Sequence, residues 1–245
     1  LQNAIRTLSC VLAIPDSSGD NMNDSRKKEL LALKFEALLA LQALSSNEAL
    51  HGTMAADALP ALTEFLMQLD DVEEIAEDSY FSTENSTAEM ETDDMVCSAL
   101  KTIQRIISVP SSASSSVTAS VRSMVSSLVK ILSGSQGRMT RKKEVSLELL
   151  HAITSGKNKS TNNTTTDGDN LFSGGVLEAV SSLLGQGGLS TKMTHSGLDI
   201  IDFIIADIEQ TTNSPTLDAS LRDNVLRQFV NSMASQERFL RALVA

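Results

Sequence analysis

The 245-residue chain contains no tryptophan, and its seven phenylalanines and one tyrosine make up only 3% of the residues. Proteins that hold single-stranded nucleic acid stack the bases on aromatic rings, and this sequence offers few rings for that purpose. Its formal net charge of −11 also opposes phosphate binding, which needs concentrated Lys and Arg. The composition therefore argues against a nucleic-acid partner.

Cysteine is almost as scarce, because only Cys10 and Cys97 are present and neither belongs to a C-x-x-C motif. This pattern excludes a disulfide framework and gives no sign of a zinc or redox site. We expect a reducing compartment, the cytoplasm or alternatively the nucleus. Five N-x-[ST] sequons leave a secretory location open. They begin at Asn23, Asn85, Asn158, Asn162 and Asn163.

Long apolar runs are missing as well, since Lys34 interrupts the richest apolar stretch and Asp202 interrupts the next. A membrane-spanning helix needs about 18 or more consecutive apolar residues, so no span is expected. The chain starts at Leu1 rather than at a methionine, and we expect it to be part of a larger chain or complex.

Apolar residues recur at i, i+3, i+4 and i+7 along most of the sequence, and alternation of period two is nearly absent. The first pattern is typical of amphipathic helices and the second of strands. The sequence therefore predicts an all-α fold.

A motif returns five times: a small residue followed by apolar residues at +1, +4 and +7. The small residues are Ala4, Ala37, Ala99, Ser146 and Gly197. A small side chain lets a neighbouring helix approach closely, and the three apolar positions form one stripe. Recurrence of this kind indicates a repeat architecture.

After four of these motifs comes a second apolar pattern, centred on Leu62, Val125, Val180 and Val225. The two patterns together predict a helix-connection-helix unit. We expect one helical-repeat domain over residues 1–245, with four units preceded by a remnant of another.

Polar insertions separate the predicted units. Residues 70–94 are acidic and residues 155–170 are rich in Asn, Thr, Gly and Lys, and both are predicted to be disordered loops. Residues 15–24 are predicted to be a shorter polar connection, and residues 108–120 a loose turn.

The second of the predicted repeats resembles the armadillo family. Residues 37–44 are similar to a family helix two, residues 45–48 to its connector, and residues 54–66 to a helix three with Pro60 in its first turn. Residues 174–184 are similar to another third helix, preceded by the glycine that the family prefers. The resemblance, which related HEAT repeats share, implies a right-handed superhelix whose third helices line a binding groove. Without Trp, the chain cannot form the Trp and Asn ladder of nuclear-import receptors.

Two Glu-x-x-His pairs, Glu48 with His51 and Glu148 with His151, have the spacing that di-iron bundles use. Asn47 indicates a helix start and Gly52 follows His51, so we expect the first pair to lie on a connector. The preferred interpretation of both pairs is solvated Glu side chains and partly exposed His side chains. A helical-bundle metalloenzyme is the alternative.

Three further groups of side chains have a functional and a plain interpretation. His195, Asp199 and Asp202 share one helical face, which suits either a hydrolytic metal site or, as we prefer, the wet face of an amphipathic helix. The basic clusters at 26–28 and 141–143 are either contacts for an acidic or phosphorylated partner or solvated helix ends.

Positions two before and two after the centre of each predicted third helix point away from the core by the 100° step. We take seven of them as candidate partner-contact residues, the alternative being that they only keep the surface soluble. They are Glu64, Ser123, Ser127, Glu178, Ser182, Asp223 and Arg227.

These features predict a non-enzymatic interaction module, a scaffold or adaptor segment that binds a protein or peptide along its surface. We expect no catalytic residues, no cofactor and no metal. An armadillo-type co-chaperone or trafficking regulator is an alternative within the same class. Residues 35–100 carry 15 acidic and no basic side chains, 11 of the 15 within 70–94. That acidic insertion is predicted to engage a basic partner or to shield a basic patch of its own chain.

Overall fold

A computed structural model of the chain describes residues 1–15, 24–77, 85–108, 115–134, 140–157, 175–185 and 189–212, together with Arg227. Within these ranges the structure consists of nine α-helices and one 3-10 turn, with no strand, so the all-α prediction is confirmed. The helices are α1 (Gln2–Leu12), α2 (Asp24–Leu44), α3 (His51–Asp57), α4 (Leu59–Glu77), α5 (Asn85–Ile107), α6 (Ser115–Ser133), α7 (Arg141–Lys157), α8 (Gly175–Gly185) and α9 (Thr191–Thr212). The 3-10 turn is Glu48–Leu50. None of these helices is long and apolar enough to cross a membrane.

The chain divides into two compact units, Leu1–Ser127 and Leu128–Ala245. In the first unit, α2 packs against α1 and α5, and the short α3 packs against α1, α4 and α5. In the second unit, α9 packs against both α7 and α8. Each unit therefore has its own core of helix-to-helix contacts.

The five-fold motif supplies much of both cores. In α5 and α7 the small residue and all three apolar positions are buried, from Ala99 to Ile106 and from Ser146 to Ile153. In α2 the small residue and the first two apolar positions are buried, while Leu44 is half-buried. Ala4 of α1 is exposed although Ile5, which follows it, is buried. The motif thus marks core faces in all five helices, most completely in α5 and α7.

Gly197 shows what the small residue does. A Cβ atom placed on Gly197 would lie 2.9 Å from Cδ2 of Leu184, closer than side chains tolerate, so α8 packs directly against the backbone of α9. The expectation that the small position permits close helix approach is confirmed here.

Polar side chains define several helix starts. Thr140 precedes α7, and its Oγ1 accepts a hydrogen bond from the backbone N–H of Lys143 at 3.4 Å. Ser190 does the same for Met193 in α9 at 3.3 Å. Each of these hydroxyls partners one of the four N–H groups that a helix N-terminus leaves without an intrahelical acceptor.

Lys34 is one of the largest fully buried side chains in the structure's described part. Its Nζ donates to Oε1 of Gln68 at 3.1 Å and lies 5.8 Å from the ring centroid of Phe65. Burying an ammonium group is costly unless polar or aromatic partners replace water, and α4 supplies both kinds. The charge that interrupts the apolar run of α2 is therefore held inside the first unit.

The predicted loops are shorter than the sequence indicated. Residues 70–77 continue α4, residues 85–94 belong to α5, and only 78–84 of that insertion lie outside the described residues. Likewise 155–157 end α7 and 115–120 begin α6, so these parts of the predicted loops are helical. The prediction was wrong because exposed helical turns can be rich in Glu, Asp and Ser, and polarity alone does not end a helix. The connection at 16–23 and the remainder of the second loop, 158–170, lie outside the described residues.

Candidate functional site

Helices α7 and α9 form the walls of the candidate site in the second unit. Glu148 pairs with Lys192, and His151 pairs with Asp199. Later positions on α7 therefore face later positions on α9, so the two helices run in the same direction. This register brings a polar stretch of each helix to a shared groove.

The groove has a volume of about 410 Å³. That value lies in the range of about 300–1,000 Å³ that is typical of ligand pockets. The described residues that line it are His151, Thr154, Ser155, Asp199, Asp202, Phe203 and Ala206. Carboxylates, hydroxyls and an imidazole thus share one groove with an apolar end on α9.

The imidazole of His151 is the centre of the polar contacts. Its Nε2 lies 3.1 Å from Oδ2 of Asp199 and 3.4 Å from Oγ of Ser155. A Ser-His-Asp hydrolase holds the hydroxyl and the carboxylate at opposite ring nitrogens, so that one nitrogen can take the hydroxyl proton while the carboxylate orients the ring and stabilises its positive charge. Because both partners here share one nitrogen, the cluster lacks the geometry of a hydrolytic triad.

The neighbouring hydroxyl of Thr154 is buried and donates to the backbone oxygen of His151 at 2.9 Å. This bond turns the threonine hydroxyl back onto its own helix. The polar side chains that remain to line the groove are therefore those of His151, Ser155, Asp199 and Asp202.

An ion pair joins α7 and α9 on the N-terminal side of the groove, where Nζ of Lys192 donates to Oε1 of Glu148. The hydrogen bond that Lys192 donates to Glu148, and then the negative charge of Glu148, raises the pKa of Lys192 above the ordinary value of 10.5. A raised lysine pKa means that the pair stabilises the fold fully below pH 10.5 and is lost as pH rises through the raised value. Glu148, expected to be solvated, is instead paired across the helix interface.

The predicted face of His195, Asp199 and Asp202 does exist on α9, but its members have separate roles. Nδ1 of His195 lies 2.9 Å from the backbone oxygen of Thr191, one turn earlier on its own helix. Asp199 contacts His151 and Asp202 lines the groove. Nowhere in the described ranges do three or more His, Cys, Asp or Glu side chains converge in a way that could hold a metal ion.

The other Glu-x-x-His pair lies in the first unit. As expected, Glu48 is on a connector, a 3-10 turn whose first residue follows Asn47, and Oδ1 of Asn47 accepts the N–H of Ala49 at 3.1 Å. His51 was expected to be partly exposed, and this was wrong: it is 4% exposed, with Nε2 2.7 Å from the backbone oxygen of Ser45. The connector carbonyl needs a donor, and the imidazole supplies it from inside the unit.

The basic cluster at 141–143 also departs from a solvated helix end. Lys143 is buried, and its Nζ donates to the backbone oxygen of Gly134 at 3.0 Å. Burial, and secondarily the charge of Lys142, lowers the pKa of Lys143 below 10.5. In the cluster at 26–28, by contrast, Arg26 and Lys28 are exposed.

Most of the predicted partner-contact residues are accessible. Exposed side chains are found at Glu64, Ser123, Glu178, Ser182 and Arg227. Asp223 lies outside the described residues.

Ser127 was predicted to point away from the core, and this was wrong, because the residue is buried at 4% exposure. The buried face of α6 follows Val121, Met124, Leu128 and Leu132, so Val125 lies at one edge of that face and Ser127 at the other. The prediction took Val125 as the centre of the buried face, and its outer face therefore wrongly included Ser127.

Sequence reasoning identified His151, Asp199 and Asp202 but not their meeting across the groove. It assigned Ser155 to a loop and did not single out Thr154 or Phe203. The spacing 148, 151, 155 on α7 was the available signal, since these positions share one helical face.

Comparisons of the chain with family models, with curated proteins and with solved structures find no match.

Proposed function

We propose that the chain is a non-enzymatic interaction module, an armadillo-like or HEAT-like helical repeat that binds a protein or peptide along its surface. The repeat would be a segment of a larger scaffold or adaptor. Neither of its two cysteines is in a disulfide, which supports a reducing compartment such as the cytoplasm or nucleus.

One observation carries this proposal: each helix with the small-residue motif packs against another helix that bears the motif. In the first unit α1 packs against α2, and α2 against α5. In the second unit α7 packs against α9 and runs in the same direction, with α8 between them in the chain and packed on α9. Equivalent helices stacked with an intervening helix are the packing pattern of an α-solenoid.

Stacked repeats bury their motif faces against their neighbours and leave the intervening helices to form a surface. Within the first unit α4 comes between α2 and α5 in the chain, within the second α8 comes between α7 and α9, and both present exposed polar side chains. They include Glu64 on α4 and Glu178 on α8. Such side chains suit recognition of a peptide.

A display library of random peptides, selected on the purified chain at physiological salt, tests the proposal. We expect enriched peptides that bind saturably at one site, measured by titration calorimetry, with a Kd on the order of 1 μM, about 8 kcal/mol of binding free energy. Charge reversal by Glu64→Lys or Glu178→Lys should weaken binding of the enriched peptides that contact these exposed side chains. Glu29→Lys, near the start of α2, serves as a matched control. Failure to enrich any saturable ligand would count against the module.

A further inference from the structure

The groove between α7 and α9 is negatively charged at close range. Among the described residues that line it, only Asp199 and Asp202 carry a permanent charge, and none is a Lys or Arg. The nearby ammonium of Lys192 belongs to the ion pair with Glu148. A ligand in this groove therefore meets two carboxylates that no cation among the described lining residues balances.

The groove also has more acceptors than donors. Asp199 receives one hydrogen bond, from the His151 imidazole through Oδ2. Asp202 receives none from the residues that the structure describes, and its side chain is exposed. Ionised carboxylates can only accept hydrogen bonds, with about four lone-pair sites each. The complement of this surface is a cation with several N–H donors.

We propose that this groove binds an arginine side chain of a basic peptide segment, an inference that rests on the interaction function proposed above. Asp199 and Asp202 are three residues apart on α9, a spacing that places Cβ atoms about 5–6 Å from each other. A planar guanidinium with five N–H groups can bridge two carboxylates so spaced, whereas an ammonium acts as a point charge. Ala206 and Phe203 form an apolar end against which the aliphatic stem can pack.

Two single-tryptophan variants can locate binding directly, because the natural sequence contains no Trp. Phe203→Trp places the only indole in the groove, and Leu33→Trp places it on the exposed side of α2 in the first unit. The probe is a short peptide of alternating glycine and arginine, and its control is the same peptide with uncharged citrulline in place of arginine. We expect the arginine peptide to shift the emission of the Phe203→Trp variant saturably and to leave that of Leu33→Trp unchanged.

A charge-matched pair of substitutions separates specific binding from general attraction to an acidic protein. Asp202→Asn and Glu144→Gln each remove one negative charge, and only Asp202 lines the groove. Introduced into the Phe203→Trp background, Asp202→Asn should weaken the arginine peptide about tenfold, as expected for loss of a charge-assisted hydrogen bond worth about 1.5 kcal/mol. Glu144→Gln, at an exposed position of α7 outside the groove, should change the affinity less than about twofold.

Three results would overturn the proposal: equal binding of the citrulline peptide, equal effects of the two charge substitutions, or saturable binding that leaves the groove indole unchanged. In the last case the chain still binds peptide, so the interaction function survives and only the site is wrong. If neither library peptides nor the arginine peptide bind, both proposals fail together. Ala206→Trp, at an exposed lining position, repeats the measurement should Phe203→Trp disturb the helical circular dichroism.

Discussion

At the scale of single residues, Gly197 sets the distance between two helices by having no side chain. Cδ1 and Cγ of Leu184 both lie 3.2 Å from the place where a Cβ would stand, and Cδ2 lies closer still. The contact involves the branch point of the leucine as well as its flexible ends. Rotation of Leu184 about its outer bond cannot relieve all of it.

We therefore expect Gly197→Ala to be less stabilising than an ordinary helical Gly→Ala change. Relief of glycine's backbone entropy contributes about 1 kcal/mol to stability, but overpacking costs about 1–3 kcal/mol. Gly52 in α3 is the matched control, because nothing lies within 4 Å of its Cβ position. Chemical denaturation should show Gly52→Ala gaining about 0.5–1 kcal/mol and Gly197→Ala falling below it by about 1–3 kcal/mol. Equal gains at both sites would contradict the close packing of α8 on α9.

Lys143 makes a pH-dependent contribution at the same scale. Burial holds its folded-state pKa below 10.5, so its charged form is disfavoured in the fold. Below the lowered pKa both states are protonated, and the burial cost is present in full. As pH rises toward 10.5 the folded state releases this proton first, and the cost is relieved.

The free energy of unfolding of the natural chain should accordingly gain a positive term between the lowered pKa of Lys143 and pH 10.5. Lys143→Met keeps the apolar stem and removes this term. Urea denaturation from pH 7.5 to 10.5 should show a less positive pH slope for Lys143→Met than for the natural chain. Lys28→Met, at an exposed lysine of α2, should leave the slope unchanged. Parallel slopes for the natural chain and Lys143→Met would show that burial does not perturb this ammonium.

At the scale of helices, side chains from one helix satisfy the carboxyl end of another. The guanidinium of Arg105, in the last turn of α5, donates to the backbone oxygen of Gln42 at 3.3 Å and to Oγ of Ser46 at 3.4 Å. Gln42 lies in the last turn of α2, where carbonyls lack intrahelical donors and the helix dipole is negative. In the second unit, Nζ of Lys143 on α7 likewise donates to the backbone oxygen of Gly134, which lies just after the end of α6.

Arg105→Met should destabilise the first unit by about 0.5–1 kcal/mol, since the arginine is exposed and its dipole interaction is partly screened. Lys101→Met, one turn earlier on α5, is the control and should cost less. Thermal unfolding in low salt and in 1 M NaCl provides the measurement. The difference between the two variants should shrink at high salt, where the Debye length is about 3 Å. A salt-independent difference would indicate lost packing of the arginine stem.

The buried face of most helices could be predicted from the sequence, because the apolar stripe of a helix depends only on the spacing of residues that are close in the chain. The motif stripes of α5 and α7 are buried as the spacing predicts. Helix ends were harder, since residues 70–77 look like a loop by charge although Leu69, Val72 and Ile75 keep a helical apolar spacing in the sequence. The groove was beyond prediction for another reason: spacing along α7 does not say which face of α9, 48 residues later, will meet His151.

At the scale of the whole molecule, the net charge belongs to one unit. Residues 1–127 hold 19 acidic and 8 basic side chains, which accounts for the entire −11, and residues 128–245 hold 12 of each. The acidity of the α7–α9 groove is thus a local arrangement within a neutral unit. A polycation attracted only by net charge would be drawn to the first unit, so a groove-specific signal is meaningful.

The division of the chain into two units predicts which helices a core substitution destabilises. Leu41 is fully buried in α2, so Leu41→Ala should cost about 2–5 kcal/mol, the usual range for such cavities. Because α2 packs against α1 and α5 of its own unit, the loss should concentrate in the first unit. Amide hydrogen exchange followed by mass spectrometry should accelerate in α1 to α5 and remain nearly unchanged in α7 to α9.

Leu33 provides the control for this experiment, because it lies on the same helix and is 52% exposed. Leu33→Ala should change stability by no more than about 0.5 kcal/mol, as surface substitutions do, and leave exchange unaltered throughout. The reciprocal variant is Ile201→Ala in α9, whose side chain is buried. It should accelerate exchange in α7 to α9 and spare α1 to α5. If either core variant accelerated exchange equally everywhere, the chain would unfold as a single cooperative body, and the additive energetics of stacked repeats would not apply to it.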